Sequence, residues 1–272
     1  MLEWKNIFRG MVMGLTELIP GVSSSTLAML MGFYERLLGS INDLTNGHWR
    51  RAFRFLIPLG IGMVLALLSL AKLLNFLTQN HPEPTFFLFM GLILGVLPFL
   101  WRSAHRASGE SFRGFHYMII CIAFVLVALM SFVGENEAVM TDLTTGDYIY
   151  LFVCGWIAST ALILPGISGS MMFLLLGAYG TAINALDTFN LPVMAAVGLG
   201  VLVGVLITSK VVRYFLKVHT QATYAVMIGL VAGSLPVVFP GVPAPFLYGL
   251  LCLLTFIIGF IVALALGRAG RA

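Results

Sequence analysis

Two stretches of this chain can be laid over two others without a gap, and that duplication limits the architecture more than any single motif does. Residues 20–41, PGVSSSTLAMLMGFYERLLGSI, match 165–186, PGISGSMMFLLLGAYGTAINAL, at Pro20/Pro165, Gly21/Gly166, Ser23/Ser168, Ser25/Ser170, Gly32/Gly177 and Tyr34/Tyr179. At a slightly different offset, residues 60–98 match 198–236, pairing Gly60/Gly198, Gly62/Gly200, Lys72/Lys210, His81/His219, Thr85/Thr223, Gly91/Gly229, Gly95/Gly233 and Pro98/Pro236. Shared hydrophobicity does not produce matching Gly, Pro, Lys and His, so the chain reads as two copies of one unit.

Each copy is too apolar for water. The sequence is 60% hydrophobic and 10% charged, with a mean hydropathy of +1.01, whereas soluble domains carry about 25% charged residues. Apolar runs of roughly 17 to 25 residues recur along it, each long enough to cross a hydrocarbon core as a helix. The first, 10–19, is broken by Pro20-Gly21 and leads into another apolar run, which predicts a multi-spanning protein rather than a cleavable signal peptide. The net charge of +4 comes from Lys and Arg scattered in short loops, with no basic stripe that would engage nucleic acid. Cys121, Cys154 and Cys252 each lie inside an apolar run, so neither a disulfide framework nor a metal site is expected, and no cofactor motif is present.

These features predict an all-α polytopic membrane protein with two repeats. Residues 1–134 would hold a hairpin at 10–41 and spans at 55–78, 85–101 and 115–133. Residues 147–272 would hold a hairpin at 148–186 and spans at 193–212, 222–239 and 246–267, giving about six full transmembrane helices. The distribution of Lys and Arg orients them. Lys5, Arg9, Arg50, Arg51 and Arg54 mark both ends of the first hairpin as cytoplasmic, as do Arg102, Arg106 and Arg113 for the loop 102–114. The loop 134–147 carries Glu135, Glu137, Asp142 and Asp147 with no base, which places it outside. Arg213, Lys217, Arg268 and Arg271 return the remaining ends to the inside, so both termini are expected in the cytoplasm of a bacterial-type inner membrane. The halves are then inverted, an arrangement that puts a substrate near the midplane between repeats. Residues 10–19 rise only about 15 Å as a helix, half a bilayer, so the hairpins are expected to be re-entrant, their broken backbone covered by protein or water.

Each hairpin tip reads Pro-Gly-aliphatic-Ser-x-Ser before an apolar helical run. Ser and Thr favour helix N-caps, and free N–H groups at a helix start attract anions. Gly21, Ser23, Ser24, Ser25 and Thr26 at one tip, with Gly166, Ser168, Gly169 and Ser170 at the other, would form a midplane pocket for a phosphate or carboxylate; the bland alternative is that the serines only cap and pack. Glu17, whose repeat partner is Leu162, is the one acid well inside an apolar run. An intramembrane acid costs at least a few kcal/mol and implies function, here a proton or sodium site coupled to the anion; the alternative is a carboxylate capping its own hairpin tip. Arg36, Lys72 and Lys210 stand toward helix ends, where they either snorkel or guide an anionic headgroup. Gly91/Gly95, Gly229/Gly233 and Gly200/Gly204 have the spacing of close helix packing.

At Gly14 to Thr26 and Pro165 to Ser170 the chain resembles the polyprenyl-phosphate transporter (PopT-type) family. The likeness covers nearly the whole chain. It implies a flippase that returns undecaprenyl phosphate, the lipid carrier of cell-wall precursors, to the inner leaflet, with Ser23, Ser25, Ser168 and Ser170 holding the phosphate and no catalytic residues. A more distant likeness is to undecaprenyl-pyrophosphate phosphatase, an enzyme with inverted repeats. Those enzymes place a second acid where this chain has Met13 and an arginine where it has Gly169. Without that charge, binding is expected and turnover is not. A small-anion transporter is the other alternative; coupling ion and oligomeric state stay open, a homodimer included.

Overall fold

The computed structural model describes residues 2–17, 23–132, 138–243 and 245–269. Among these residues the secondary structure is helical throughout. The first six helices are α1 (Lys5–Glu17), α2 (Ser24–Leu30), α3 (Tyr34–Thr45), α4 (Trp49–Asn80), α5 (Pro82–Ser108) and α6 (Gly114–Ala128). The next six are α7 (Thr145–Ile163), α8 (Gly169–Leu175), α9 (Tyr179–Asp187), α10 (Leu191–Val218), α11 (Thr220–Val238) and α12 (Phe246–Ala269). One list repeats the other in order, with a seven-residue helix second in each and the longest helix fourth.

Local chemistry sets the ends. Pro82 opens α5 and Gly109, at φ +69°, closes it, while the Thr144 and Asp147 side chains box the start of α7 at 2.7 Å. The return arm of each hairpin is broken at a matched glycine. Gly32 and Gly177 adopt φ +72° and +63°, a conformation that suits glycine, and each break carries the same two hydrogen bonds: Gly32 to Met29 and Phe33 to Ala28, Gly177 to Leu174 and Ala178 to Phe173. After its break, α9 leaves α8 at 112°.

The neighbours are duplicated as well. α1 packs on α4 as α7 packs on α10, and α5 packs on α12 as α11 packs on α6, with α5 and α11 touching each other at the centre. The predicted small residues let backbones meet there. A Cβ at Gly62 would strike the carbonyl of Ile7, and one at its partner Gly200 the carbonyl of Phe152; Gly91 and Gly229 are blocked in the same way by Phe256 and Ile120. Helices without a hydrophobic force between them gain from such approach by dispersion. Outside this core, Leu68, Phe132, Phe246 and Leu247 are among many large apolar side chains left exposed, as a surface facing lipid requires.

Seven helices among the described residues are long and apolar enough to cross a membrane, one more than the six expected spans. The seventh is α7, the first arm of the second hairpin; its 19 residues rise about 28 Å, against about 20 Å for the 13 of α1. The long spans also run past their expected ends. α4 covers 49–80 instead of 55–78 and α10 covers 191–218 instead of 193–212, because the Arg- and Lys-bearing flanks are good helix formers and continue the helix beyond the apolar run.

Candidate functional site

A cluster of buried polar residues lies at the start of α2 and α8. Ser23, Ser24, Ser25, Thr26 and Ser168 are each at most 5% exposed, and Ser170 is half-buried. Ser23 and Ser168 occupy the N-cap positions of α2 and α8 with nearly identical extended backbones, φ −97°, ψ 132° and φ −90°, ψ 135°. Neither side chain bonds a first-turn amide. Each hydroxyl pairs instead with the serine two residues on: Ser23 Oγ lies 2.6 Å from Ser25 Oγ, and Ser168 Oγ lies 2.8 Å from Ser170 Oγ. Of the first-turn amides of α2, the Thr26 N–H donates to the Ser23 carbonyl at 3.0 Å and the Ser24 N–H faces Glu17. Both helices have only seven residues, so an anion at the tips would be met by hydroxyls and local N–H groups more than by any macrodipole.

The two tips are locked together. Gly166 N–H donates to Thr26 Oγ1 at 3.0 Å, Tyr34 Oη donates to the carbonyl of Ile163 at 2.7 Å, and Ser23 Oγ reaches the carbonyl of Leu164 at 3.4 Å. Ile163 ends α7, so its carbonyl has no helical partner and Tyr34 supplies one. Gly166, at φ +92°, lies against the backbone of Leu230 and Val231 in α11, where any Cβ would clash. Tyr34 was visible in the sequence only as a repeat match to Tyr179; its role across the halves depends on packing that no spacing reveals.

Glu17 is the last residue of α1 and is half-buried, with the hydroxyl and N–H of Ser24 facing its carboxylate. The acid thus holds one of the donors that an anion at α2 would use. Gly21 lies outside the described residues. The three expected guiding cations stay away from the tip contact. Arg36 pairs with Glu3 and lies over the Phe55 ring at 5.3 Å, while Lys72 and Lys210 are exposed on α4 and α10 and form no ion pair among the described residues. No cluster of potential metal ligands occurs among the described residues.

Fold and site together define a multi-pass helical membrane protein whose polar centre is built at helix breaks within its apolar body. The chain belongs to the undecaprenyl phosphate translocase-like family, which it matches over residues 13–244. It is 43% identical to a polyprenyl-phosphate transporter of Staphylococcus aureus, over 98% of this chain and 96% of that one. It is 30% identical to a polyprenyl-phosphate transporter of Vibrio cholerae, over 85% of this chain and 76% of that one. No solved structure is significantly similar to it.

Proposed function

We propose that this protein carries a polyprenyl phosphate, undecaprenyl phosphate foremost, between the leaflets of the cytoplasmic membrane, with the phosphate held at the interlocked tips by Ser23, Ser25, Ser168 and Ser170. The observation that carries the reading is the pair of serine hydroxyl couples at two breaks bonded to each other, in a chain whose relatives are named for this substrate. The duplicated helix contacts and the loop charges support inverted halves with both termini in the cytoplasm, which gives the substrate equivalent routes to either face. Glu17 competes with the phosphate for the donors of Ser24, so protonation or a bound cation at Glu17 favours substrate binding.

Transport without hydrolysis suits the residues present. A side chain at Gly169 would meet Leu162 at 3.0 Å and the carbonyl of Ala158 at 3.3 Å, leaving little room for the arginine of the phosphatases. Met13, where those enzymes have their second acid, is packed in the core.

The test is leaflet-resolved movement of undecaprenyl phosphate in proteoliposomes containing only this protein, with and without a proton or sodium gradient. Lipid translocation above empty vesicles is expected, without phosphate release. Uptake of inorganic phosphate with no lipid movement would replace the reading with small-anion transport, and release of phosphate from undecaprenyl pyrophosphate would make the protein an enzyme.

A further inference from the structure

Beside the second tip, α7, α8, α9 and α10 line a cavity of about 400 Å³ whose edge includes the exposed Ile183 and Leu186. That volume lies within the range of small-molecule sites, roughly 300 to 1,000 Å³. Its wall is almost entirely apolar, with Ala158, Leu162, Phe173, Ala182, Val193 and Val197 among the lining residues. The polar side chains on it are few, Ser159, Ser170 and Tyr179. Ser159 gives its hydroxyl to the Trp156 carbonyl at 2.7 Å and Ser170 is coupled to Ser168 at 2.8 Å, whereas a buried water needs two to four free partners. A wall so largely apolar suits a hydrocarbon occupant.

The repeat shows that this space belongs to one half. In the first half the positions matching Ala158, Ala182 and Val193 are Met13, Leu37 and Phe55, all at most 7% exposed and part of one continuous core. Two exchanges run the other way, Ala28 for Phe173 and Gly14 for Ser159, and they do not close the second cavity. Smaller residues at three matched positions leave room in the second half where the first is filled.

We propose that the cavity receives the first isoprenoid units of the lipid while its phosphate rests on the Ser168–Ser170 hydroxyls, an inference that rests on the reading of function above. Ser170 and Gly169 of the tip belong to the cavity wall, and that wall turns apolar at once with Leu162 and Phe173. A prenyl monophosphate has the same sequence of groups, because its first hydrocarbon carbon is bonded directly to the phosphate ester oxygen. A diacyl phospholipid does not. Its glycerol esters would place two carbonyls against a wall whose polar side chains are only Ser159, Ser170 and Tyr179, at the cost of burying acceptors with few donors to meet them.

Two variants and one probe test the assignment. Ala182→Leu introduces the residue that the first half carries at the matched position. Gly198→Leu adds a side chain at the cavity edge, where nothing lies within 4 Å, so it adds bulk without a clash. In nanodiscs, each is expected to weaken undecaprenyl phosphate binding at least tenfold while thermal stability stays near wild type. A prenyl phosphate carrying a diazirine on its first isoprene unit is expected to label α7 and α10 in the wild type, and to lose that labelling in both variants. Unchanged affinity in both stable variants, or labelling confined to other helices, overturns the groove while leaving transport intact. Equal competition by phosphatidylglycerol overturns the choice of a prenyl chain. Failure of the wild type to bind undecaprenyl phosphate at all sinks the functional reading and the groove with it.

Discussion

If the two tips form one site, the bonds between them should be felt in both stability and transport. Tyr34→Phe removes the Oη donor but keeps the ring, and leaves the terminal carbonyl of α7 without its partner 2.7 Å away. Thr26→Val is close in shape and removes the acceptor of the Gly166 N–H at 3.0 Å. Two magnitudes bear on the cost. Leaving a buried polar group unpaired costs about 1 to 3 kcal/mol in soluble proteins, but interhelical hydrogen bonds in membranes average about 0.6 kcal/mol. The smaller figure applies where the freed group finds another partner in lipid-exposed backbone. Tyr34 is 3% exposed and Ile163 is 5%, which argues for the larger. About 1 to 2 kcal/mol per bond is therefore expected, or about 2 to 4 °C in melting temperature per kcal/mol for a protein of this size. Both bonds act on the same short segment, 163–166, so their effects should couple rather than add. The assay is thermal unfolding of purified single and double variants in detergent, alongside undecaprenyl phosphate translocation in proteoliposomes. A double variant with wild-type melting and wild-type transport would show that the tips do not depend on each other, and the single-site reading would fall.

Three further outcomes are expected. Ser23→Ala and Ser168→Ala should each weaken lipid-phosphate binding by about 1.5 to 3 kcal/mol, the worth of a charge-assisted hydrogen bond, with folding largely intact; unimpaired transport in the double variant would leave these serines as packing groups. Gly91→Leu should destabilise the protein strongly, because the backbone of Phe256 stands in the way, while Gly60→Leu, with open space around it, should be tolerated; equal loss of melting temperature in both would refute the packing argument. Glu17→Gln should keep lipid-phosphate binding but lose dependence on an imposed proton or sodium gradient, measured as uptake in proteoliposomes, and gradient-driven uptake equal to wild type would reduce Glu17 to a structural cap.

How much of this the sequence showed depended on whether a feature was local. Apolar length located the middles of the long helices, because a helix in lipid must satisfy its own backbone and is read from its own segment. The helix ends ran further than expected wherever charged residues with good helix propensity continued the turn, as at Trp49–Arg54 of α4. The break between α2 and α3 was missed although Gly32 and Gly177 were already paired, because the apolar run passes through both glycines and only the positive φ separates the arms. The serines were found from their repetition at both tips. Their pairing with each other in place of helix capping was not, since a cap and a hydroxyl couple share the same residue types. Tyr34 and Thr26 reach the other half from more than a hundred residues away, and no pattern within one repeat encodes that meeting.

The absence of an arginine from the quoted tip residues follows from what a carrier must do. An enzyme gains rate from groups that bind the transition state more tightly than the substrate, and a guanidinium at the phosphoryl oxygens provides that. A carrier gains nothing from it. It must release the same phosphate that it binds, and every kcal/mol of affinity at the midplane is added to the barrier for leaving. Bidentate arginine–phosphate pairs are roughly twice as strong as neutral hydrogen bonds, and stronger again where the dielectric is low. On the proposed reading, serine hydroxyls would offset the loss of phosphate hydration with several moderate bonds, which can be exchanged one at a time as the headgroup moves. Glycine at position 169, packed on Leu162, keeps the site within that range. On the same reading Glu17 would act as a competitor already in place: its carboxylate, which faces the donors of Ser24, would hold them when the phosphate has gone, so that those polar groups are not left unpaired between cycles.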